Sequence, residues 1–276
     1  MSLLHAIVLG VIQGLTEFLP VSSSGHLVIV PRMLGWGEHP RAFDVALHQG
    51  TLLATLLYFR QDFVRLTVDG VHDAMQHRTH FARFSPYGRL AWLIVLGCLP
   101  AVLIGALFSS WIDAHADRAW LIALYLVLFG GLMLIAEQVR QPDMSSSGVE
   151  RVDARRSLMI GAAQAVALLP GVSRSGITIS TGMFAGLSRE TAARFSFLLA
   201  APVILGAGLK DLPDIRHASE QGIGGGELAA GFVVSFVVGL AAVHFLLRYV
   251  ARYSLSAFAA YRVAIAALAM LVIYVL

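Results

Sequence analysis

One lysine and one cysteine occur in 276 residues, and only 13% of the chain is Asp, Glu, Lys or Arg. The lone Cys98 excludes an intramolecular disulfide; lying in an apolar run, it reads as core packing and leaves the redox compartment open. The formal charge of +3 rests on 19 arginines scattered along apolar segments. That scatter excludes the dense basic face of a nucleic-acid binder and suits a membrane protein with an anionic ligand. No Lys or Arg precedes Arg32, and no small-residue cleavage site follows the first apolar run, so no removable signal peptide is expected. No strand pattern precedes the GIGGG stretch at Gly222 to Gly226, which therefore reads as a flexible external loop and not as a nucleotide-binding turn.

Apolar residues fill the space left by these absences, at 57% of the chain. They come in continuous runs without the alternation of a lipid-facing barrel strand, and in hydrocarbon that leaves helices as the way to satisfy the backbone. The expected fold is all-α, a polytopic membrane protein forming a single membrane domain over 1–276. Runs near the ~20 residues of a bilayer crossing are Phe43 to Phe59, Gly88 to Phe108, Ala119 to Glu137, Phe195 to Leu209, Glu227 to Leu247 and Ala257 to Leu276. Four shorter pieces, Leu3 to Leu19, Gly25 to Leu34, Ser157 to Leu169 and Gly176 to Leu187, occur in pairs broken by Pro, Ser and Gly. Each pair reads as a re-entrant helical hairpin, tolerated at depth only where protein or water covers it.

The two breaks match. VSSSG at Val21 to Gly25 and VSRSG at Val172 to Gly176 differ at one position, follow a Leu-Pro closely, and have Gln13 and Gln164 upstream. The chain therefore divides into related halves of about 1–140 and 155–276, each with one hairpin and three crossings. An odd number of crossings inverts the second half, and the broken helices of such a repeat meet near the midplane. Arginine bias agrees: Arg60, Arg65, Arg78, Arg83, Arg89, Arg140, Arg151, Arg155, Arg156, Arg189, Arg194, Arg248 and Arg252 fall on one side. Arg41, Arg118, Lys210 and Arg216 fall on the other, so the first side is expected to be cytoplasmic, with both termini and the first hairpin open to the outer face.

In QGLTEFLPVSSSGH, Gln13 and Glu17 are four apart and share a helix face, Ser22, Ser23 and Ser24 form the turn, and His26 follows. Arg174, in LPGVSRSG, is costly at bilayer depth and needs a partner, for which Glu17 and His26 are the candidates. A guanidinium fork, hydroxyls and two helix N-termini suit a phosphate ester or anhydride. Glu17 can serve as base or cation ligand, and His26 as nucleophile, base or acid. The bland readings are a serine cap on the following helix, a packed histidine ring and a structural Glu17–Arg174 pair. His48, Glu137 and Arg262 read as interface or packing residues.

The motifs QGLTEFLPVSSSGH and LPGVSRSG, together with TGMFAGLSRETAARFSFLLAAP, resemble the undecaprenyl-diphosphate phosphatase family, also called the bacitracin-resistance family, over nearly the whole chain. The resemblance implies an inner-membrane hydrolase that removes the terminal phosphate of undecaprenyl diphosphate, regenerating a lipid carrier for peptidoglycan synthesis. It also implies an active site open to the periplasm and a divalent cation, Mg2+ or Ca2+. By position it places the essential carboxylate and metal ligand on Glu17, the catalytic histidine on His26 and the motif arginine on Arg174. Turn serines fall on Ser22 and Ser23, flanking groups on Ser173 and Ser175, and a further polar position on Thr178. Gln13, Ser24, Gly25 and Gly176 complete the substrate-binding set. Where the family's motif opens with Glu or Gln, this chain has Gln13, leaving Glu17 as the one carboxylate there. The nucleophile stays open between Ser23, His26 and water, with Ser23 favoured. A transporter or flippase of a phosphorylated polyprenyl lipid uses the same architecture, and an intramembrane protease is a third reading. The partners that follow are undecaprenyl diphosphate and membrane lipids, a homodimer being the one protein partner entertained.

Overall fold

A computed structural model of the chain describes residues 1–37, 39–78, 80–116, 118–139, 148–213, 218 and 222–274. Arg140 and Arg216 of the charge asymmetry, and the last two residues of the final expected span, lie outside the described residues. Among those described there are eleven α-helices and no strand: α1 Leu3–Thr16, α2 Ser23–Met33, α3 Arg41–Tyr58, α4 Arg60–His77, α5 Pro86–Asp113, α6 Ala119–Val139, α7 Ala154–Val166, α8 Arg174–Phe184, α9 Arg189–Lys210, α10 Gly225–Val250 and α11 Ser256–Tyr274. Short polar side chains set several of the starts. Ser2, Ser85, Asp153 and Ser188 each accept a hydrogen bond from the N–H three residues on, supplying a partner that the first turn of a helix lacks.

Among the described residues five helices, α5, α6, α9, α10 and α11, are long and apolar enough to cross a membrane. On α5 the side chains of Trp92, Leu99, Leu103 and Leu107 are exposed, an apolar surface suited to lipid. The sixth expected crossing is α3, which at 18 residues is about 27 Å long but does not meet the same apolar standard. The physical reason is its setting: Asp44, His48 and Gln49 line a cavity, while its apolar face is buried against α9 and α10. The GIGGG stretch also differs from a simple loop, since α10 begins at Gly225.

The two hairpins are short by construction. Each of α2 and α8 has 11 residues, about 16 Å, against a hydrocarbon core of roughly 30 Å. They enter the bundle reciprocally: α1 packs along α10 of the second half, and α7 packs along α5 of the first. Both contacts depend on small residues that let backbones approach. A Cβ at Gly14 would stand 2.9 Å from the carbonyl oxygen of Ser235, and one at Gly97 would stand 3.2 Å from that of Ser157. Helix α8 packs on α6 and α9, α2 packs on α6 and α11, and Val21, Ser22, Val172 and Ser173 at the two tips are buried.

Candidate active site

The two turns have nearly the same backbone. Ser22 precedes α2 at φ 77°, ψ 95°, and Ser173 precedes α8 at φ 72°, ψ 107°. Positive φ is costly for a residue with a side chain, on the order of 1–3 kcal/mol, and persists only where the surroundings enforce it. Here each serine hydroxyl accepts the N–H of the glycine three residues on, Gly25 at 3.3 Å and Gly176 at 3.1 Å. Each hydroxyl also lies 3.4 Å from the next serine but one, Ser24 or Ser175. The cap geometry places the following residue, Ser23 in one turn and Arg174 in the other, at the first position of its helix.

Those two residues converge on one carboxylate. Ser23 donates its hydroxyl to Oε2 of Glu17 at 2.6 Å, and Arg174 donates Nη2 to Oε1 at 3.0 Å. Gln13, one helical turn before Glu17, donates its amide to Oε2 at 3.0 Å. The Nε2 of His48 stands 3.8 Å from the same oxygen, its Nδ1–H being held by the Asp44 carbonyl at 2.8 Å. Glu17 is buried, and Arg174 is only partly exposed. A buried carboxylate is stable there because a guanidinium, a hydroxyl and an amide all face it.

A cavity of about 550 Å³ approaches this cluster from the end of the bundle where α3 begins. Ser24 and His48 line it close to the carboxylate, Leu27 and Val203 form apolar walls, and Arg32 and Arg41 lie along it. A pocket with basic side chains and apolar walls matches the two chemistries of a phosphorylated lipid.

Not every residue singled out in the sequence joins the cluster. The Nδ1–H of His26 donates to the Ser22 carbonyl at 2.7 Å, while Nε2 bonds the Tyr261 hydroxyl at 2.8 Å; the two rings stack within 6°. Both imidazole nitrogens are thereby engaged away from Glu17. Thr178 donates to the Arg174 carbonyl at 2.6 Å and bonds Ser196 at 2.6 Å, so it holds the base of the arginine's helix. Ser175 donates to the Leu19 carbonyl at 3.2 Å and ties one turn to the other. The N–H groups of Gly25 and Gly176 are used in the caps already described.

Of His48, Glu137 and Arg262, all read as interface or packing residues, His48 departs from that reading, while Glu137 and Arg262 tie packed elements together. His48 faces Glu17; the available signal was Asp44 and Thr51, four before and three after it on the same helix face. Arg262 is fully buried, with its guanidinium near five backbone carbonyls: Leu126 at 3.0 Å, Pro20 at 3.3 Å, Tyr125 at 3.2 Å, Gly171 at 2.9 Å and Val172 at 3.0 Å. It bridges the two turns, for which no local pattern gives a sign. Glu137 pairs with Arg189 and accepts the Leu255 N–H at 2.8 Å, joining α6, α9 and the start of α11. Tyr261 and Ser196 are further partners that sequence reasoning missed.

Among the described residues no group of three or more His, Cys, Asp or Glu could enclose a metal ion. The donor set at Glu17 nevertheless suits a hard cation held partly by substrate. Beside the carboxylate, the amide oxygen of the buried Gln13 has no hydrogen-bond partner among the described residues. Two adjacent protein oxygens with the rest supplied by phosphate and water is the ordinary pattern for Mg2+.

Known proteins with this sequence pattern are numerous. A chain from Geobacter metallireducens named undecaprenyl-diphosphatase is 47% identical over 267 residues, covering 95% of each chain. One of the same name from Pelobacter propionicus is 45% identical over 266 residues, covering 95% of this chain and 94% of its own. A more distant source, Mycobacterium ulcerans, has one 42% identical over 267 residues, covering 96% and 94%. Residues 6–268 match the family described as bacitracin resistance protein BacA. With two helix breaks of the same geometry and relatives this close over nearly its full length, the chain belongs to the BacA family.

Proposed function

We propose that this chain hydrolyses undecaprenyl diphosphate to undecaprenyl phosphate and inorganic phosphate. The observation that carries the reading is the convergence of Ser23 and Arg174 on opposite oxygens of Glu17 at 2.6 and 3.0 Å. A hydroxyl against a carboxylate is a nucleophile with its base, and a guanidinium beside them is a fork for phosphate oxygens. In this mechanism the lipid lies along the apolar wall of the cavity and the diphosphate reaches the turns. Arg174 exchanges its bond to Glu17 for bonds to the terminal phosphoryl group. Glu17, released from the guanidinium, takes the Ser23 proton as Oγ attacks the terminal phosphorus and undecaprenyl phosphate leaves. Water then cleaves the phosphoserine. Orientation and fixed positive charge stabilise the loose transition state, in which charge spreads over the equatorial oxygens.

Glu17 and Gln13 would hold the divalent cation, which when bound neutralises charge on the diphosphate. His26, clasped between Ser22 and Tyr261, shapes the turn that presents Ser23. The arginine asymmetry supports an inner-membrane orientation with the cavity open to the periplasm.

The direct experiment is phosphate release from undecaprenyl diphosphate by purified protein, with and without a chelator. Release that stops with chelator and returns with Mg2+ or Ca2+ is the expected result, and no release under either condition would refute the reading. Sidedness is checked separately. With Cys98 replaced, a cysteine at Gly224 should react with an impermeant reagent in intact spheroplasts, and one at Ser85 only in inside-out vesicles.

A further inference from the structure

Helix α4 takes no part in the site, and its surface is unusual. Val64, Val68, Val71 and Met75 recur at helical spacing and are 62, 59, 56 and 76% exposed. Asp62, Leu66, Gly70 and Asp73 are buried on the opposite face. The helix therefore carries a narrow apolar stripe, flanked by polar and charged residues, on the side that faces away from the protein.

Its placement follows from two carboxylates. Asp62 accepts from the Tyr87 hydroxyl at 2.9 Å and from Arg194 at 2.7 Å. Asp73 accepts from both the N–H and the hydroxyl of Ser85 at 2.7 Å. The two acids are eleven residues apart, about 16 Å along a helix, yet Ser85 and Tyr87 both lie at the very start of α5. Helix α4 therefore runs across the end of α5 instead of down its length. The Trp92 indole N–H donates to the Gly70 carbonyl at 3.2 Å, which seats α4 against the flank of α5 at the level of its first two turns. The apolar stripe lies on the face of α4 opposite the one seated on α5.

Charge identifies what lies there. Arg60, Arg65 and Arg78 on α4 and its end, with Arg83 and Arg89 beside it, are all exposed, and Arg65 also stacks on the Tyr87 ring at 5.4 Å. Of the acids on α4, Asp62 and Asp73 are buried and engaged, leaving Asp69 partly exposed. Charges on both flanks of the stripe keep it out of the hydrocarbon centre, where they are costly. A second copy of the chain fits less well, because the stripe exposes on the order of 400 Å², against roughly 800 Å² per partner in a stable interface.

We propose that α4 is an interfacial helix, seated in the headgroup layer of the bilayer that the chain spans, with its valine and methionine stripe at the acyl boundary and its arginines on anionic lipid phosphates. This is the arrangement of an amphipathic surface helix combined with a basic cluster. It rests on the chain's membrane architecture and not on the chemistry at Glu17.

The test uses full-length protein with Cys98→Ala and single cysteines at Val64, Val68, Val71 or Met75, or at the flanking Gln61, His72 or Gln76. Each carries an environment-sensitive fluorophore and is reconstituted into vesicles of phosphatidylcholine, with or without phosphatidylglycerol. Stripe labels should shift to the blue and resist an aqueous quencher, flank labels should not, and the protection should grow with phosphatidylglycerol. Replacing Arg60, Arg65 and Arg78 by Gln should remove that growth, each arginine counting for about fivefold, as should high salt. Phosphate release measured on the same vesicles keeps this result separate from the catalytic one. Stripe labels that stay open to quencher in both lipids would overturn the proposal. So would stripe cysteines that crosslink between copies and lose their protection when the protein is diluted in excess lipid.

Discussion

The hairpins α1–α2 and α7–α8 share a backbone down to the torsions of Ser22 and Ser173, and yet one holds a carboxylate where the other holds a leucine. At the position of Glu17 the second hairpin has Leu168, and at that of Ser23 it has Arg174. The consequence is visible in the two glutamines. Gln13 donates to Glu17, whereas neither amide atom of the buried Gln164 has a protein partner. One turn thus supplies the carboxylate and the hydroxyl, and the matching turn supplies the cation that faces them. Two copies of either would fail: two carboxylates at this depth would repel, and two arginines would have no acid between them.

The largest way to break the comparison is to make the first hairpin resemble the second. Glu17→Gln keeps the shape but removes the charge that accepts a proton, so phosphate release should fall by roughly 10²-fold or more. Ser23→Ala should fall comparably while retaining lipid binding. If either variant stays within about threefold of the parent, the role assigned to that residue is wrong. Arg174→Lys sharpens the other side. An ammonium can keep the pair with Glu17 but cannot form the planar fork, so activity should be lost while the melting temperature in detergent stays near that of the parent. Hydrolysis that survives Arg174→Lys would instead mark a structural ion pair.

Arg262 tests what holds the hairpins in register. No smaller donor reaches five carbonyls at once, so Arg262→Lys should destabilise the protein by about 3 kcal/mol, the scale of a broken buried polar network. Activity should fall with it, and melting and turnover should move together across a series of substitutions. A smaller effect of opposite sign is expected at Gln164. Gln164→Leu removes a buried amide that lacks a protein partner and should be neutral or stabilising by about 1 kcal/mol, with turnover unchanged. A loss of turnover would show that the second hairpin has chemistry of its own.

The smallest effect lies outside both hairpins. The Ser85 hydroxyl holds the Asp73 carboxyl below its ordinary range, against the opposing effect of burial and with help from the Ser85 N–H and His72. A depressed acid stabilises the fold above its unfolded value, near 3.9, and that contribution is lost as pH falls through the lower folded value. Melting temperature below pH 4 should therefore decline less steeply in Asp73→Asn than in the parent.

Much of this was readable along the chain. Long apolar runs announce helices in lipid because unpaired backbone groups are costly there, and the expected spans from Gly88 onward fall inside α5, α6, α9 and α10, with Ala257 to Leu276 overlapping α11. The paired VSSSG and VSRSG breaks marked the two turns, since only unusual backbone requires that composition. Helix α3 was harder: its polar residues face a cavity, so hydropathy understates a segment buried against other helices.

Residue identity and spacing determined the helical class, the hairpin breaks and the pairing of Gln13 with Glu17, because these depend on neighbours within a turn or two of chain. Tertiary structure alone decided that Arg174 meets Glu17 across 157 positions, that His26 turns to Tyr261, and that Arg262 binds the carbonyls of both turns. Those contacts arise where the turns of the two hairpins meet. The geometry of that meeting is set by helix packing over the whole molecule and leaves no local periodicity to read.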